Sequence, residues 1–156
     1  MEILRKYVMG SRPVTFELLS EPSHHFGAGT SFCLPNFEDP HYNVGLPIFS
    51  IHGNHDHPTR DGNGSSLSAM DILSVANLVN FFGSHESADR IDVRPLLLRK
   101  GRTRVALYGL GSMRDERLHA LLRKGNVRFH RPADSSSWFH ILLIHQNRAR
   151  SGRSSR

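Results

Sequence analysis

The chain has 156 residues, of which 38% are hydrophobic and 22% are charged, so it can form one domain with a hydrophobic core and is not disordered throughout. Four arginines near the end supply most of the formal net charge of +6: Arg148, Arg150, Arg153 and Arg156. Positive and negative charges are nearly balanced in the rest of the chain, which therefore does not indicate a nucleic-acid-binding surface. The single Cys33 excludes an internal disulfide bond, and no stretch is apolar enough for a secretory signal or a membrane span.

The first predicted element is a helix at the start of the chain. Four apolar residues recur there at helical spacing before Gly10: Ile3, Leu4, Tyr7 and Val8. No capping residue precedes this helix, which begins at Met1. Residues 12–20 are expected to form a short strand or an extended segment.

Residues 21–46 are expected to form a long loop, because six proline and glycine residues interrupt this segment. Loops of this length in a compact domain are usually functional or disordered. Four aromatic residues argue against simple disorder, since they can anchor the loop on a surface: Phe26, Phe32, Phe37 and Tyr42.

A short apolar run, Ile48 to Ile51, predicts a strand that opens into a loop at Gly53. The next predicted element is a helix over residues 67–82, with a capping-box start at Ser68 and Asp71 and Gly83 as its stop. This helix is apolar on two sides, which is typical of a helix that packs between its own sheet and a partner.

The second half of the chain predicts a strand over residues 102–111, a helix over 114–125 and a strand over 137–147. The helix is expected to turn Leu118, Leu121 and Leu122 inward. The last strand is expected to end its apolar run at His145. Alternating strands and helices predict an α/β protein.

Two predicted strands end alike, in an apolar run followed by histidine and an amide: "IFSIHGNHD" and "LLIHQN". Ligands of α/β sheets are held at strand ends, and imidazole nitrogen and amide oxygen are good ligands for manganese, iron or zinc. A neighbouring histidine facing a phosphate can protonate the leaving oxygen. On the residues alone, an ordinary polar strand end or a turn with a left-handed Asn remains an alternative.

Four long segments follow one another in a characteristic order: "VGLPIFSIHGNHDHPT", "SAMDILSVANLVNFFG", "VALYGLGSMRDERL" and "HILLIHQNR". This order resembles the calcineurin-like metallophosphoesterases, and within them the family of nuclease subunits of the DNA double-strand-break-repair complex. The similarity runs from Met1 to about Arg148. Protein serine/threonine phosphatases share the superfamily, but they usually read Gly-Asn-His-Glu and lack the "YGLG" and "HQNR" segments.

The resemblance implies a role for three residues. Asn54 and His145 would be ligands of the second of two Mn²⁺ ions. His55 would be the catalytic histidine that contacts the scissile phosphate and protonates the departing sugar oxygen. The activity implied is exonuclease and endonuclease cleavage of DNA in the nucleus.

The resemblance also implies partners: DNA, an SMC-like ATPase, a nibrin-like adaptor and a second copy of the chain. The loop 21–46 and the helix 67–82 match regions that contribute to the dimer and adaptor contacts of the family. The residues expected at these contacts are Phe37, Tyr42, Asn43 and Leu73.

The chain departs from the family pattern, since the Asp-x-His strand and the Gly-Asp motif that begin the family's site are not found before the first helix, and no Gly-His-x-His motif follows "HQNR". Residues 1–148 are therefore expected to form an incomplete metallophosphoesterase β-sandwich flanked by helices, followed by a basic disordered tail over 149–156. His57 stands where the family usually has Asp. Neutral Asn54 and His145 cannot offset the repulsion of two dications, which predicts weak metal binding and no nuclease activity by this chain alone.

Two alternatives to a nuclease fragment remain from the sequence. One is a non-catalytic truncated isoform that dimerises or binds the adaptor. The other is a different metallophosphoesterase, such as a protein phosphatase.

Overall fold

A computed structural model of the chain describes residues 1–26, 34–56, 59–60, 66–85, 87 and 89–147. Within these ranges the α-helices are Glu2–Val8 (α1), Ala69–Val75 (α2) and Asp115–Arg123 (α3). The strands there are Glu17–Leu18 (β1), Phe49–Ser50 (β2), Thr59–Arg60 (β3), Ser66–Leu67 (β4), Asn80–Phe81 (β5), Ile91–Val93 (β6), Leu96–Lys100 (β7), Thr103–Leu110 (β8), Val127–Phe129 (β9) and Phe139–Ile144 (β10). None of the helices in these ranges is long and apolar enough to cross a membrane.

The largest sheet has the strand order β1-β7-β8-β10. β7 runs antiparallel to both β1 and β8, whereas β10 runs parallel to β8 from Phe139 opposite Val105 to Ile144 opposite Leu110. Short parallel pairs join β2 to β5 and β6 to β9, and β3 pairs antiparallel with β4. The mixed α/β class predicted from the sequence is confirmed.

Strand β8 is buried on both faces. Ala106 and Tyr108 belong to one buried cluster together with Leu121 of α3. The alternate residue Leu107 belongs to a second cluster with Phe82. Because successive side chains of a strand point to opposite faces, a strand covered on both sides needs a continuous apolar run, which is the pattern of this segment.

The predicted helix over residues 67–82 is wrong in length. Its start is as predicted, since the Ser68 hydroxyl accepts a hydrogen bond from the Met70 amide (3.1 Å) and the Asp71 carboxylate accepts one from the Ser68 amide (2.6 Å). The helix ends at Val75, and Asn77 adopts a left-handed φ of 56°. Residues 80–81 form strand β5 instead, so Gly83 does not cap this helix.

Helices α2 and α3 both leave large apolar side chains exposed. In α2, Ile72 and Val75 are exposed to solvent, and in α3 Leu122 is exposed while Leu121 is buried. The prediction that Leu122 faces inward is therefore wrong. Helix α2 has only two turns and packs on the core through Met70 and its neighbours. The side of this helix that carries Ile72 and Val75 is therefore not covered by the described part of the chain.

A network of buried asparagines explains why the helix stops early. The Asn80 side chain accepts a hydrogen bond from the backbone amide of Asn36 (2.7 Å) and donates one to the side-chain oxygen of Asn36 (2.9 Å). The Asn77 backbone oxygen accepts from the Asn36 side chain (2.9 Å), and the Asn77 side chain donates to Asp39 (2.8 Å). These bonds replace the helical ones and fix residues 36–39 of the long loop on the turn between α2 and β5.

The long loop is also attached to the first helix. The Gly10 amide donates to the Asn43 backbone oxygen (2.9 Å), the Gly45 amide donates to the Val8 oxygen (2.9 Å), and Met9 forms an isolated bridge with Val44. The predicted loop 21–46 is thus anchored over its described second half. Phe32 and the predicted tail over 149–156 lie outside the described residues, so the domain boundaries remain a prediction.

The ends of β5 and β8 approach each other so closely that only glycine fits. Gly83 has a φ of +74°, and a side-chain carbon built on it would lie 2.7 Å from the backbone of Gly109. A side-chain carbon on Gly109 would lie 2.6 Å from the ring of Phe82. The glycines of "FFG" and "YGLG" therefore allow these two strand ends to touch.

We expect Gly83→Ala to lower the free energy of unfolding by about 2 to 3 kcal/mol. The added methyl group would overlap the backbone of Gly109, and alanine would also be strained in the left-handed conformation of this position. Gly101→Ala is the matched control, because Gly101 also has a positive φ (+56°) but has no neighbour within 4 Å of the added carbon. The control should lose only about 1 kcal/mol. Urea denaturation of both variants measures the difference, and equal losses would refute the close-contact explanation.

Candidate functional site

The loops that follow β2, β8 and β10 meet at one edge of the fold. β10 runs parallel to β8 and both end at this edge. The Ser112 amide, just beyond β8, donates a hydrogen bond to the His52 backbone oxygen, just beyond β2 (3.1 Å). The polar residues after the two strands singled out in the sequence are therefore brought to the same place.

Asn54 and His145 are in direct contact. The His145 Nε2 atom lies 3.1 Å from Asn54 Oδ1, although the two residues are 91 positions apart in the chain. As an amide oxygen only accepts, this contact is a hydrogen bond when Nε2 carries the proton. The structure thus places together the two residues predicted as ligands of one metal; their binding of a metal stays a prediction.

Glycines allow this contact to form. A side-chain carbon on Gly53 would lie 3.3 Å from the His145 ring carbon Cε1, which is closer than most such contacts. A side-chain carbon on Gly111 would overlap the His52 imidazole. The glycine positions in "HGN" and "GLG" therefore let three strand ends close on one another.

His55, the predicted catalytic histidine, follows Asn54 in the turn after β2 and is exposed to solvent. It is thus accessible to a substrate at the same edge. Its role as a proton donor stays a prediction. His57, the position that departs from the family pattern, lies outside the described residues.

The Asn54–His145 pair lies at the wall of an open cleft of about 540 Å³. The rest of the wall is made by the segments 112–116 and 144–147. Neither polar atom of the buried Gln146 amide is hydrogen-bonded within the described residues, and the Asn147 side-chain amide donates to the Asp115 carboxylate (2.8 Å). The sequence reasoning singled out neither Gln146 nor Asp115, although both belong to the motifs "HQN" and "RDERL".

The donor atoms fit part of a manganese site. Amide oxygen and imidazole nitrogen both suit a divalent first-row metal, and they converge on one point. In the part of the chain that the structure describes, no group of three or more His, Cys, Asp or Glu side chains is placed to hold a metal. The two neutral donors present here would therefore need carboxylates from further residues to complete a dinuclear site.

Two further histidines near this edge are part of the packing. His52 is 4% exposed and lies edge-on to Phe81, with ring centroids 6.1 Å apart. Burial lowers the pKa of His85, and the neighbouring His52 lowers it further. The hydrogen bond of His85 to the Gly109 oxygen raises this pKa, but it only partly offsets the effect of burial. His85 is therefore neutral near pH 7. His52 directly follows the apolar run of β2 and precedes Gly53. This position next to a buried run is the sequence feature that indicates a buried histidine.

Three of the four predicted partner-contact residues lie together. Phe37, Tyr42 and Asn43 line one groove of about 590 Å³, in which Phe37 packs edge-on against Phe16 (5.1 Å between centroids). Tyr42 is 46% exposed. Leu73 lies elsewhere, partly buried in the cluster of three buried residues Met70, Val79 and Phe81. Contact with an adaptor or a second copy stays a prediction for all four.

No protein-family model matches the chain. Three curated double-strand break repair proteins named MRE11 match 97% of it: one from Coprinopsis cinerea at 46% identity, one from Homo sapiens at 50% and one from Arabidopsis thaliana at 47%. These matches cover 22%, 21% and 22% of the relatives, respectively, so the chain spans about a fifth of their length.

These relatives favour the double-strand break repair family over the protein phosphatase alternative. The relationship also identifies the mixed α/β architecture as part of a calcineurin-like fold, as predicted. With 46% to 50% identity to those three proteins over nearly all of its residues, the chain is homologous to a segment of the MRE11 double-strand break repair proteins.

Proposed function

We propose that this chain carries the middle part of a two-metal, Mn²⁺-dependent nuclease site that hydrolyses phosphodiester bonds of DNA. The observation that supports this most is the 3.1 Å contact between Asn54 Oδ1 and His145 Nε2. Two donors suited to one metal converge there from separate strand ends, at the edge of a calcineurin-like fold. A polar strand end without a ligand would not require this convergence.

Each residue at the cleft has a definite task in this proposal. Asn54 and His145 would hold one metal ion through the amide oxygen and the ring nitrogen. When bound, two manganese ions would activate water and clamp the phosphodiester. Exposed His55 would contact the scissile phosphate and give a proton to the departing sugar oxygen, which removes the cost of expelling an alkoxide.

The remaining parts of the proposal follow from the family. The substrate is DNA at double-strand breaks, and the site of action is the nucleus. The full protein would assemble with an SMC-like ATPase, a nibrin-like adaptor and a second copy of itself. The groove at Phe37, Tyr42 and Asn43 is a candidate surface for such a contact, since Tyr42 and Asn43 are exposed there.

One observation favours a second, non-catalytic function in dimerisation or adaptor binding. Helices α1 and α2 leave four large apolar or aromatic side chains more than half exposed: Ile3, Tyr7, Ile72 and Val75. Their helices are linked through Leu4, which packs on the same cluster as Leu73 of α2. Exposed apolar side chains on neighbouring elements are typical of a protein–protein interface.

Titration of the purified chain with Mn²⁺ in a calorimeter tests the metal assignment. We expect weak binding or none, because Asn54 and His145 are neutral and cannot by themselves offset the charge of two dications. The Asn54→Ala variant is the control and should remove whatever weak heat signal the chain shows.

Two tight manganese sites in this chain would contradict the assignment of only part of a site to it. Weak binding that survives Asn54→Ala would contradict the location of the site. If the same sample binds no metal and sediments as a dimer in analytical ultracentrifugation, the non-catalytic function is favoured instead.

A further inference from the structure

We infer that Asp115 is a positioning residue that keeps His145 in contact with Asn54. The inference rests on the proposed function, in which this pair holds a metal. It concerns how the pair is held in place and therefore goes beyond the identity of the ligands. Four observations about the segment 112–115 carry it.

The carboxylate of Asp115 stands on a fixed element. Asp115 is the first residue of α3, and the helix is anchored by buried Leu121 and by partly buried Leu118 in the cluster beneath β8. The start of the helix is closed by the Arg114 oxygen, which accepts from the amides of Arg117 (3.0 Å) and Leu118 (3.1 Å). The position of Asp115 is therefore determined by the core.

The segment that carries His145 has less support of its own. The pairing of β10 with β8 ends at Ile144, directly before His145. Beyond it, the Asn147 side chain donates a hydrogen bond of 2.8 Å to the Asp115 carboxylate. This bond spans the cleft wall and ties the segment 145–147 to α3.

The same segment also holds the other member of the pair. The Ser112 amide donates to the His52 oxygen (3.1 Å), two residues before Asn54. Residues 112–115 are thus bonded to the Asn54 loop at one end and to the His145 segment at the other. They therefore connect the two segments that carry Asn54 and His145.

A direct ligand role for Asp115 is the competing explanation. Asp115 Oδ2 already accepts from Asn147, and this carboxylate is not part of any group of three metal-binding side chains in the described ranges. Charge and hydrogen-bond geometry can be separated by experiment, because an amide in place of the carboxylate can still accept from Asn147.

The test uses NMR of the intact 156-residue chain without metal. The cross-relaxation signal between the Gly53 Hα atoms and the His145 ring reports the contact, since a side-chain carbon built on Gly53 would lie 3.3 Å from the ring carbon Cε1. Asp115→Ala should lower the equilibrium constant for the contact about twofold to tenfold, the factor that corresponds to one hydrogen bond, and should therefore weaken this signal. Asp115→Asn should leave it near the wild-type value. The control Glu116→Ala removes a charge from the same cleft wall and should leave the signal unchanged.

An exchange of the two partners sharpens the result. Asn147→Asp alone places two carboxylates against each other and should weaken the contact between Asn54 and His145. The double variant D115N/N147D restores one donor and one acceptor and should recover this contact. Asn147→Ala serves if Asp115→Ala does not fold. An unchanged signal in the alanine variants, or an equal loss in Asp115→Asn, would overturn the inference.

Addition of Mn²⁺ to the wild-type chain separates this inference from the proposed function. Paramagnetic broadening centred on Asn54 and His145 supports the metal assignment. Broadening centred on other residues would overturn the metal assignment, while the metal-free contact signal would still decide whether Asp115 positions His145.

Discussion

Replacement of His55 by asparagine is expected to reduce phosphodiester cleavage by about 100-fold to 10,000-fold in a full-length protein that carries this segment. His55 is exposed and directly follows Asn54, which lines the cleft. Without a proton donor, the departing sugar oxygen would leave as an alkoxide, whereas the ligand atoms of Asn54 and His145 are untouched. Manganese binding should therefore remain close to that of the unaltered protein.

The measurement is the rate of cutting of end-labelled DNA with Mn²⁺, together with a calorimetric titration of the metal. His119→Asn is the matched control, since His119 is an exposed histidine on α3 and neither it nor a residue next to it in the chain lines the cleft. Normal cutting by the His55 variant would refute the proton-donor role. Loss of manganese binding together with cutting would assign His55 to the metal site instead.

Asn80→Ala is expected to lower the free energy of unfolding by about 4 kcal/mol, since it leaves two hydrogen-bonding groups of Asn36 without a partner in the core. Asn80 is 2% exposed and exchanges two hydrogen bonds with Asn36, at 2.7 and 2.9 Å. These bonds hold the long loop on the turn after α2. The loss should thus also release residues 36–39 from the body of the protein.

Urea denaturation gives the change in stability, and amide hydrogen exchange at residues 36–39 reports release of the loop. The control is Asn43→Ala, where the side chain is exposed and the backbone oxygen alone accepts from Gly10. It should change stability by no more than about 0.5 kcal/mol. A loss of less than about 1 kcal/mol in Asn80→Ala would mean that the asparagine network does not hold the loop.

The sheet strands around the candidate site could be predicted from the sequence because their apolar runs are local signals. The runs at Ile48 to Ile51 and Ile141 to Ile144 predicted strands that end at polar residues, and β2 and β10 lie there. The short strands β6, β7 and β9 were not predicted. They are short or rich in charge, and pairing across the sheet rather than local pattern stabilises them.

The region 67–82 shows why a local pattern can mislead. Its apolar spacing fits a long helix, and its capping box marked the start correctly. The stop depends on Asn77 and Asn80, which bond to Asn36 more than 40 residues earlier in the chain. Such long-range bonds override helical periodicity, and the one local signal for the stop is Asn77, a residue type that can end a helix in the left-handed conformation.

By itself, the sequence determined the α/β class, the two strands that end in histidine and amide, and the family resemblance of its motifs. The tertiary structure alone decided that Asn54 and His145 touch, where α2 ends, and that Asp115 and Asn147 join the cleft wall. The physical reason is range. Strand and helix patterns arise between neighbouring residues, whereas a site made by side chains 91 residues apart exists only after the sheet has set their distance.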